Sequence, residues 1–118
     1  MDIKKEHKDI KTIIIGMTKH PNNVHVQSCG CMALGDLAIN DSENRITANK
    51  CKGVETIVTI MTYYAEYVNI QEYGCGTLGA LATDSSTNKI AINECNGIEA
   101  IITAMRRHVM IRSLDVGY

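Results

Sequence analysis

Residues 26–38 have the sequence VQSCGCMALGDLA, and residues 70–82, 44 positions later, have the sequence IQEYGCGTLGALA. Gln, Gly, Cys, Leu, Gly, Leu and Ala stand at the same places in both segments. The match extends without a gap over residues 26–64 and 70–108 and gives 17 identities in 39 positions. A fixed period of this length is typical of proteins whose structural units stack on one another. The chain therefore contains an internal repeat.

Apolar residues inside each repeat follow the spacing of amphipathic helices. Val54, Ile57 and Met61 lie three and then four residues apart, which places them on one face of a helix. The quoted segment contains a similar stripe, and a short helix capped by Asp41 or Ser42 separates the two. The predicted helices span residues 3–19, 23–39, 43–51, 54–64, 67–83, 87–95 and 98–108, with no strands. These patterns predict an all-α fold.

Glycines recur at fixed repeat positions and need a reason. Gly53 and Gly97 follow the short helices, so we expect each to end its helix in a left-handed conformation. A second group falls inside the long helices, where each glycine costs about 1 kcal/mol relative to alanine. This group consists of Gly30, Gly35, Gly74 and Gly79. Its recurrence predicts close helix–helix approach, with a flexible hinge as the alternative.

The segment from Val26 to Ala38, followed by Asn44, Ile46 and Gly53-Val54, resembles an armadillo repeat, and its second copy from Ile70 to Ile98 resembles one equally well. The resemblance covers nearly the whole chain. It implies a right-handed armadillo-like α-solenoid, a superhelix of three-helix repeats, and a role in protein–protein recognition. We predict one domain over residues 1–118, with a partial repeat at 1–39, a repeat at 40–83 and a partial repeat at 84–118.

The resemblance places a protein-binding groove along the last helix of each repeat. Peptide-binding members of the family present an Asn there, and often a Trp one turn before it. Asp36 and Ala80 stand at the Asn positions, and Met32 and Gly76 at the Trp positions. An Asn both donates and accepts hydrogen bonds, whereas an ionised Asp only accepts and Ala does neither. We expect a groove without the family's usual Asn ladder, in which Asp36 either meets a Lys or Arg or is a solvated charge.

A second candidate surface follows from the repeat register at the corner after the middle helix. Two rows of residues and a neighbouring tyrosine fall there: Lys19, Tyr63 and Arg107, then His20, Tyr64 and His108, and Tyr67. Clustered Tyr, Arg and His are typical of interfaces. The alternative is that tyrosines near this corner, Tyr67 or Tyr73, fill space between repeats.

Charge and hydropathy exclude several classes of partner. The 12 basic and 13 acidic residues give a net charge of −1 without any long basic block, so we predict no binding to nucleic acid. The longest apolar run, Ile13 to Ile15, is far shorter than a membrane span. The start of the chain lacks the apolar core of a secretory signal. Five cysteines without such a signal indicate free thiols in a reducing compartment, the cytoplasm or alternatively the nucleus.

Cysteines and histidines raise the possibility of thiol or metal chemistry. Cys31 recurs as Cys75 and Cys51 as Cys95, as core positions of a repeat do. No Cys pair has zinc-finger spacing, and no glycine-rich phosphate loop is present in the sequence. We therefore predict no enzyme activity, no metal and no cofactor. Cys29, whose repeat counterpart is a tyrosine, is the one thiol expected to be accessible.

The last repeat is incomplete. Residues 112–118 begin like the next long helix, with Leu114 at the repeat position of Ile70. An unfinished unit is expected to leave apolar atoms of Leu81, Ile101 and Met105 uncovered. Three functions remain open: a protein-binding module or adaptor, a self-assembling element that forms a homo-oligomer through a terminal face, and, remotely, a thiol- or metal-dependent enzyme. The first is the preferred prediction.

The repeat alignment predicts that Leu34 and Leu78 occupy equivalent core positions. Replacement of either by alanine is expected to lower the free energy of unfolding by about 2–5 kcal/mol, because a buried side chain is lost and a cavity remains. Urea denaturation of Leu34→Ala measures this difference. If the variant unfolds at the same urea concentration as the parent, the alignment is wrong at its centre.

Overall fold

The computed structural model describes residues 3–110, and describes side chains for residues 5–108. Over this range the chain is all-helical and has no strand. The helices are α1 (Ile3–Lys19), α2 (Val24–Ala38), α3 (Ser42–Lys50), α4 (Gly53–Tyr63), α5 (Val68–Ala82), α6 (Ser86–Glu94) and α7 (Gly97–Ala104), followed by a π-helix (Met105–Met110). Predicted and observed ends differ by at most one residue, except that the π-helix replaces the last turn of the final predicted helix. The all-helical prediction is confirmed.

Side-chain oxygens cap the starts of α2, α3 and α6. Asn23 accepts from the backbone N–H of Val26 at 3.1 Å, and Asp41 accepts from that of Asn44 at 3.0 Å. Ser85, the repeat counterpart of Asp41, caps α6 in the same way. Each cap satisfies one of the N–H groups that the first helical turn leaves unpaired. Of the two residues proposed for the α3 cap, the structure selects Asp41.

Equivalent helices of successive repeats contact each other. α2 packs on α5, α3 on α6 and α4 on α7, while α1 packs on α2 and α4 on α5. A continuous apolar core runs between them, in which Leu34 and Leu78 are 2% and 1% exposed. Their predicted burial is confirmed. The period seen in the sequence is therefore also a period of tertiary contacts.

A glutamine amide ties together the two long helices of each repeat. Gln27 Nε2 donates to the backbone carbonyls of Met17 and His20, at 3.0 and 2.7 Å. Gln71 makes the same two bonds 44 residues later, at 3.0 and 2.8 Å. The last carbonyls of a helix have no partner inside it, so a buried amide that reaches them removes a desolvation cost. Gln27 and Gln71 are identical in the repeat alignment, but the alignment alone does not indicate this role.

The close helix approach predicted from glycines is confirmed at three of four positions. A Cβ at Gly30 would lie 2.4 Å from Sδ of Met17, and one at Gly74 2.6 Å from Sδ of Met61. A Cβ at Gly35 would lie 2.9 Å from the Thr77 hydroxyl. The remaining residue, Gly79, has open space around its Cβ position within the described structure, so the prediction is not confirmed there. Gly79 lies on the side of α5 where no further repeat is described.

The left-handed residues are not the predicted glycines. Lys52 and Asn96 have φ of 63° and 66°, and Gly53 and Gly97 are instead the first residues of α4 and α7. These positions need glycine because a side chain has no room. A Cβ at Gly53 would lie 2.9 Å from the carbonyl oxygen of Ala48, and Gly97 is restricted in the same way. The prediction located the turn correctly and assigned its strained backbone to the wrong residue.

The expected uncovered end is confirmed only in part. Met105 is 40% exposed and Ile101 is half-buried, but Leu81 is fully buried, against expectation. The reason follows from its counterpart Leu37, which has no described repeat on its N-terminal side and is half-buried. Leu81 therefore faces the preceding repeat. The prediction about Leu114 lies outside the described residues.

Two glycines of α5 provide a matched pair for testing this packing. Gly79→Ala is expected to raise the free energy of unfolding by about 0.5–1 kcal/mol, because alanine favours the helix and nothing obstructs it. Gly74→Ala is expected to lower it by about 1–3 kcal/mol, because the methyl group would overlap Met61. Urea denaturation of both variants checks the sign. Equal effects of the two substitutions would contradict this packing.

Candidate protein-binding surfaces

A cleft of about 550 Å³ lies between α2 and α5, beside the corner that connects α4 to α5. We call it the α2–α5 cleft. Three large side chains line it and remain open to solvent: Met32 is 45% exposed, Tyr67 51% and Tyr73 39%. The structure thus brings together Met32, predicted for the groove, and Tyr67, predicted for the corner. Large exposed aromatic and thioether groups around a concavity are typical of a protein-binding site.

The α2 wall of this cleft is the helix face opposite the core. His25, Cys29, Met32 and Asp36 are exposed and recur at helical spacing, so they form one stripe along α2. The core side of the same helix carries Gln27, Cys31, Leu34 and Ala38, all buried. Since the core holds one face in place, the other is presented on a rigid support. Asp36 extends the stripe one turn beyond Met32.

The four predicted groove residues do not all reach the surface. Met32, Asp36 and Gly76 are exposed, whereas Ala80 is only 6% exposed. The assignment of Ala80 to a binding groove is therefore wrong. Its counterpart Asp36 is exposed because no repeat is described on its N-terminal side, whereas Ala80 faces the preceding repeat. Within residues 5–108 the Asp36 carboxylate has no ion-pair partner.

Tyr64, predicted as an exposed corner residue, belongs to the core. It is 6% exposed, and its hydroxyl donates to the backbone carbonyl of Pro21 at 2.5 Å. Desolvation raises the pKa of the Tyr64 phenol, and the neighbouring phenols of Tyr63 and Tyr67 raise it further. The ring is an anchor between repeats, and little of its surface is left for a partner.

The other residues of this row show that the anchor is periodic. His108 Nε2 lies 2.8 Å from the carbonyl oxygen of Ala65, and these two residues are the repeat counterparts of Tyr64 and Pro21. A tyrosine and a histidine thus make the same bond to the preceding corner. We call this pair of bonds the corner latch. The sequence signal was present, because both residues stood in one row of the repeat register.

The neighbouring row makes a second periodic contact. The Tyr63 hydroxyl donates to Oδ1 of Asn22 at 3.1 Å, and Arg107 forms an ion pair with Glu66. Arg107 and Glu66 are the repeat counterparts of Tyr63 and Asn22. A neutral hydrogen bond in one repeat is therefore replaced by an ion pair in the next. This row links repeats at their surface, where such contacts contribute little stability.

Part of the predicted corner surface remains accessible. Lys19 and His20 are exposed, because they form the first row and no earlier corner is described for them to contact. Tyr63 keeps 67% of its surface exposed in spite of its bond to Asn22. The ring of Tyr64 packs edge-to-face on Tyr63 and on Tyr67, with centroids 4.8 and 5.2 Å apart. This aromatic chain positions Tyr67 in the α2–α5 cleft.

Of the further clefts, two lie between equivalent helices of successive repeats, and the sequence did not predict them. One of about 420 Å³ lies between α1 and α4, and one of about 440 Å³ between α4 and α7. Most of their lining residues are repeat counterparts, as Thr18, Glu55 and Thr59 are of Thr62, Glu99 and Thr103. The hydroxyls of Thr18 and Thr62 donate to carbonyls of their own helices. Periodic clefts of this kind result from packing between repeats.

The thiols differ sharply in environment. Burial raises the pKa of the Cys31 thiol to about 12 and also raises the pKa values of Cys75 and Cys95. A thiol that remains protonated at neutral pH is a poor nucleophile. Cys29 is exposed at the cleft, as predicted. In the part of the chain that the structure describes, no three His, Cys, Asp or Glu side chains are grouped so that they could hold a metal ion.

Comparisons with known proteins add no family to this description. A scan against protein-family models, a search of curated proteins and a search of solved structures each found no match. Among the described helices, none combines the length and the apolar character needed to cross a bilayer. What this chain does is therefore argued from its own geometry.

The corner latch makes a testable distinction between adjacent tyrosines. Tyr64→Phe is expected to lower the melting temperature by a few degrees, because the carbonyl of Pro21 loses its donor in a buried site. Tyr63→Phe is expected to leave the melting temperature nearly unchanged, because water can donate to the exposed Asn22 side chain in place of the lost hydroxyl. Thermal unfolding followed by circular dichroism measures both variants. A larger effect of Tyr63→Phe would contradict the latch.

Proposed function

We propose that this chain is a non-enzymatic protein-interaction module, built from armadillo-like repeats, that binds a segment of another protein in the α2–α5 cleft. The observation that supports it is the concentration of exposed Met32, Tyr67 and Tyr73 around one concavity. Large apolar side chains that stay partly exposed are costly in water and are useful where a partner covers them. The rigid core behind α2 limits the entropy lost on binding.

An armadillo-like arrangement is the solenoid that we propose for the repeats. Contacts between equivalent helices, the paired Gln27 and Gln71 amides and the corner latch all recur with the 44-residue period. Units linked in this way stack in one direction. In a right-handed superhelix of such units, α2 and α5 would lie side by side along one face, which suits an extended ligand.

The chemistry of the cleft favours a particular partner. Its walls provide aromatic, thioether and aliphatic surface, and its described lining contains no Lys or Arg. Asp36, one turn beyond Met32, adds a carboxylate with no ion-pair partner among the described residues, and Glu72 is exposed on the facing helix. A segment with a large apolar residue for the cleft and a Lys or Arg beyond it matches both features. Acidic or phosphorylated segments and nucleic acid match poorly.

Absence of enzymatic activity, a location in the cytoplasm or nucleus, and independence from cofactors form part of the same proposal. The burial and high thiol pKa of Cys31, and the partial burial of Cys51, Cys75 and Cys95, support a structural role for them. The second candidate function is a self-assembling element. It is favoured by the exposed Ile98, Ile102 and Met105, which are 50%, 41% and 40% exposed at one end of the molecule.

Selection from a random peptide library displayed on phage tests the binding function. Peptides enriched on the parent chain are expected to contain a large apolar residue followed by a Lys or Arg. Met32→Asp should weaken their binding by at least about tenfold, which is the effect of losing about 1.4 kcal/mol. Asp36→Lys should reduce the binding of those peptides that carry the basic residue.

The control for Met32→Asp is Ile90→Asp. Ile90 is 56% exposed on α6 and does not line the α2–α5 cleft, so the same change there should leave peptide binding intact. Circular dichroism of each variant verifies that the helices are retained. Failure to enrich any peptide, or equal sensitivity of the enriched peptides to both substitutions, would refute the proposed cleft.

A further inference from the structure

One end of the molecule exposes residue types that are buried at the equivalent positions of the preceding repeat. Gly79, Ile98, Ile102 and Met105 lie on the C-terminal side of α5 and α7, and we call this surface the C-terminal face. Its apolar members are 40–50% exposed. Their repeat counterparts Val54, Val58 and Met61 are 0%, 5% and 1% exposed, because α5 and the helices after it cover them. The two sets of residues are thus similar in type, but the set in α4 is buried and the set on the C-terminal face is exposed.

Two contacts inside the protein show what kind of helix covers the equivalent surfaces of the earlier repeats. Met17 of α1 packs against Gly30 of α2, and Met61 of α4 packs against Gly74 of α5, so that a methionine fills the space of an absent Cβ. Met105 stands at the third methionine position. An occupant that repeats this contact is an α-helix with a glycine facing Met105. A larger residue there would overlap the methionine as a Cβ would at Gly74.

A second contact defines the next turn of that helix. Thr77 of α5 lies over Gly35, and its hydroxyl donates to the buried carbonyl of Cys31. The counterparts Gly79 and Cys75 occupy the C-terminal face, and the Cβ position of Gly79 has open space within the described structure. A small hydroxyl residue three positions after the glycine would fill this space. The occupant therefore carries the pattern Gly-x-x-Thr, as α5 does from Gly74 to Thr77.

Residues 111–118 do not supply this pattern at the corresponding repeat positions. In the repeat register, Asp115 stands where Gln71 stands, and Tyr118 where Gly74 stands. An ionised carboxylate cannot donate to carbonyls as the Gln71 amide does, and a tyrosine side chain has no room against a methionine. Gly117 stands one position before the counterpart of Gly74, and on a helix this difference would turn it about 100° away from Met105.

A second copy of the chain matches the face less well than such a helix. In a head-to-tail stack, Asp36 of one copy would occupy the place of the buried Ala80, and an unpaired carboxylate would be desolvated. In a two-fold dimer the face would meet itself, and its glycine, Gly79, is followed three positions later by Ala82 and so lacks the Gly-x-x-Thr pattern. We propose that the C-terminal face binds an amphipathic α-helix of another protein through a Gly-x-x-Thr pattern, separately from the α2–α5 cleft.

A labelled peptide of residues 67–83 is the probe, because it contains α5 with both contact residues. Fluorescence anisotropy with the whole chain should show saturable binding. Gly74→Leu in the peptide should weaken binding at least about tenfold, because the leucine overlaps Met105. A peptide of residues 23–39 has Gly30 but Ala33 in place of Thr77, so it should bind a few-fold more weakly.

Two variants of the protein identify the surface that the peptide uses. Ile98→Glu places a charge on the face and should abolish peptide binding. Ile90→Glu is the matched control, because its counterpart Ile46 stays 46% exposed under the stacked second repeat, which shows that this position lies off the face. Met32→Asp should not affect this binding, so the outcome is independent of the α2–α5 cleft.

Three results would overturn the proposal. The first is the absence of saturable binding by the peptide of residues 67–83. The second is binding that is insensitive to Ile98→Glu or to Gly74→Leu, which would mean that the peptide uses another surface. The third is a dimer in sedimentation at micromolar concentration that Ile98→Glu dissociates and the peptide does not. In that case a second copy occupies the face.

Discussion

Two methionine–glycine contacts set the distance between the long helices of this protein, and most of its other features follow from that distance. Because Met17 and Met61 occupy the space of absent Cβ atoms, α1 approaches α2 and α4 approaches α5 closely. Only at close approach do the Gln27 and Gln71 amides reach the carbonyls at the end of the neighbouring helix. The apolar core and the polar bonds therefore enforce the same geometry, as expected of a sequence that specifies one structure.

Function in this fold depends on which faces the stacking leaves uncovered. Stacking of the repeats covers one side of α5 and buries Ala80 and Leu81. The stripe through Met32 on α2 remains exposed to solvent beside Tyr73. The α2–α5 cleft is thus a surface that every added repeat would extend. The C-terminal face differs in kind, because an added repeat would cover it. One surface is suited to a ligand that runs across repeats, and the other to a single helix.

The sequence predicted periodic properties well and failed where two copies differ in surroundings. Spacing and period located the helices, the burial of Leu34 and the exposure of Cys29. Ala80 was assigned to the groove because a repeat alignment treats it as Asp36, although only one of them has a preceding repeat. Tyr64 was placed on the surface because the repeat register grouped it with Lys, Arg and His, and the sequence does not show that its hydroxyl bonds to a backbone carbonyl. The armadillo arrangement itself remains a proposal.

The two rows at the corner have different freedom to diverge. Tyr64 and His108 bond to backbone carbonyls, which every residue possesses, so a change at position 21 or 65 need not be matched by a change in its partner. Tyr63 with Asn22 and Arg107 with Glu66 join side chain to side chain, and here both members differ between the repeats. In related chains, positions 22 and 63 should therefore covary, as should 66 and 107, whereas the donor at position 64 or 108 should not depend on which residue stands at position 21 or 65.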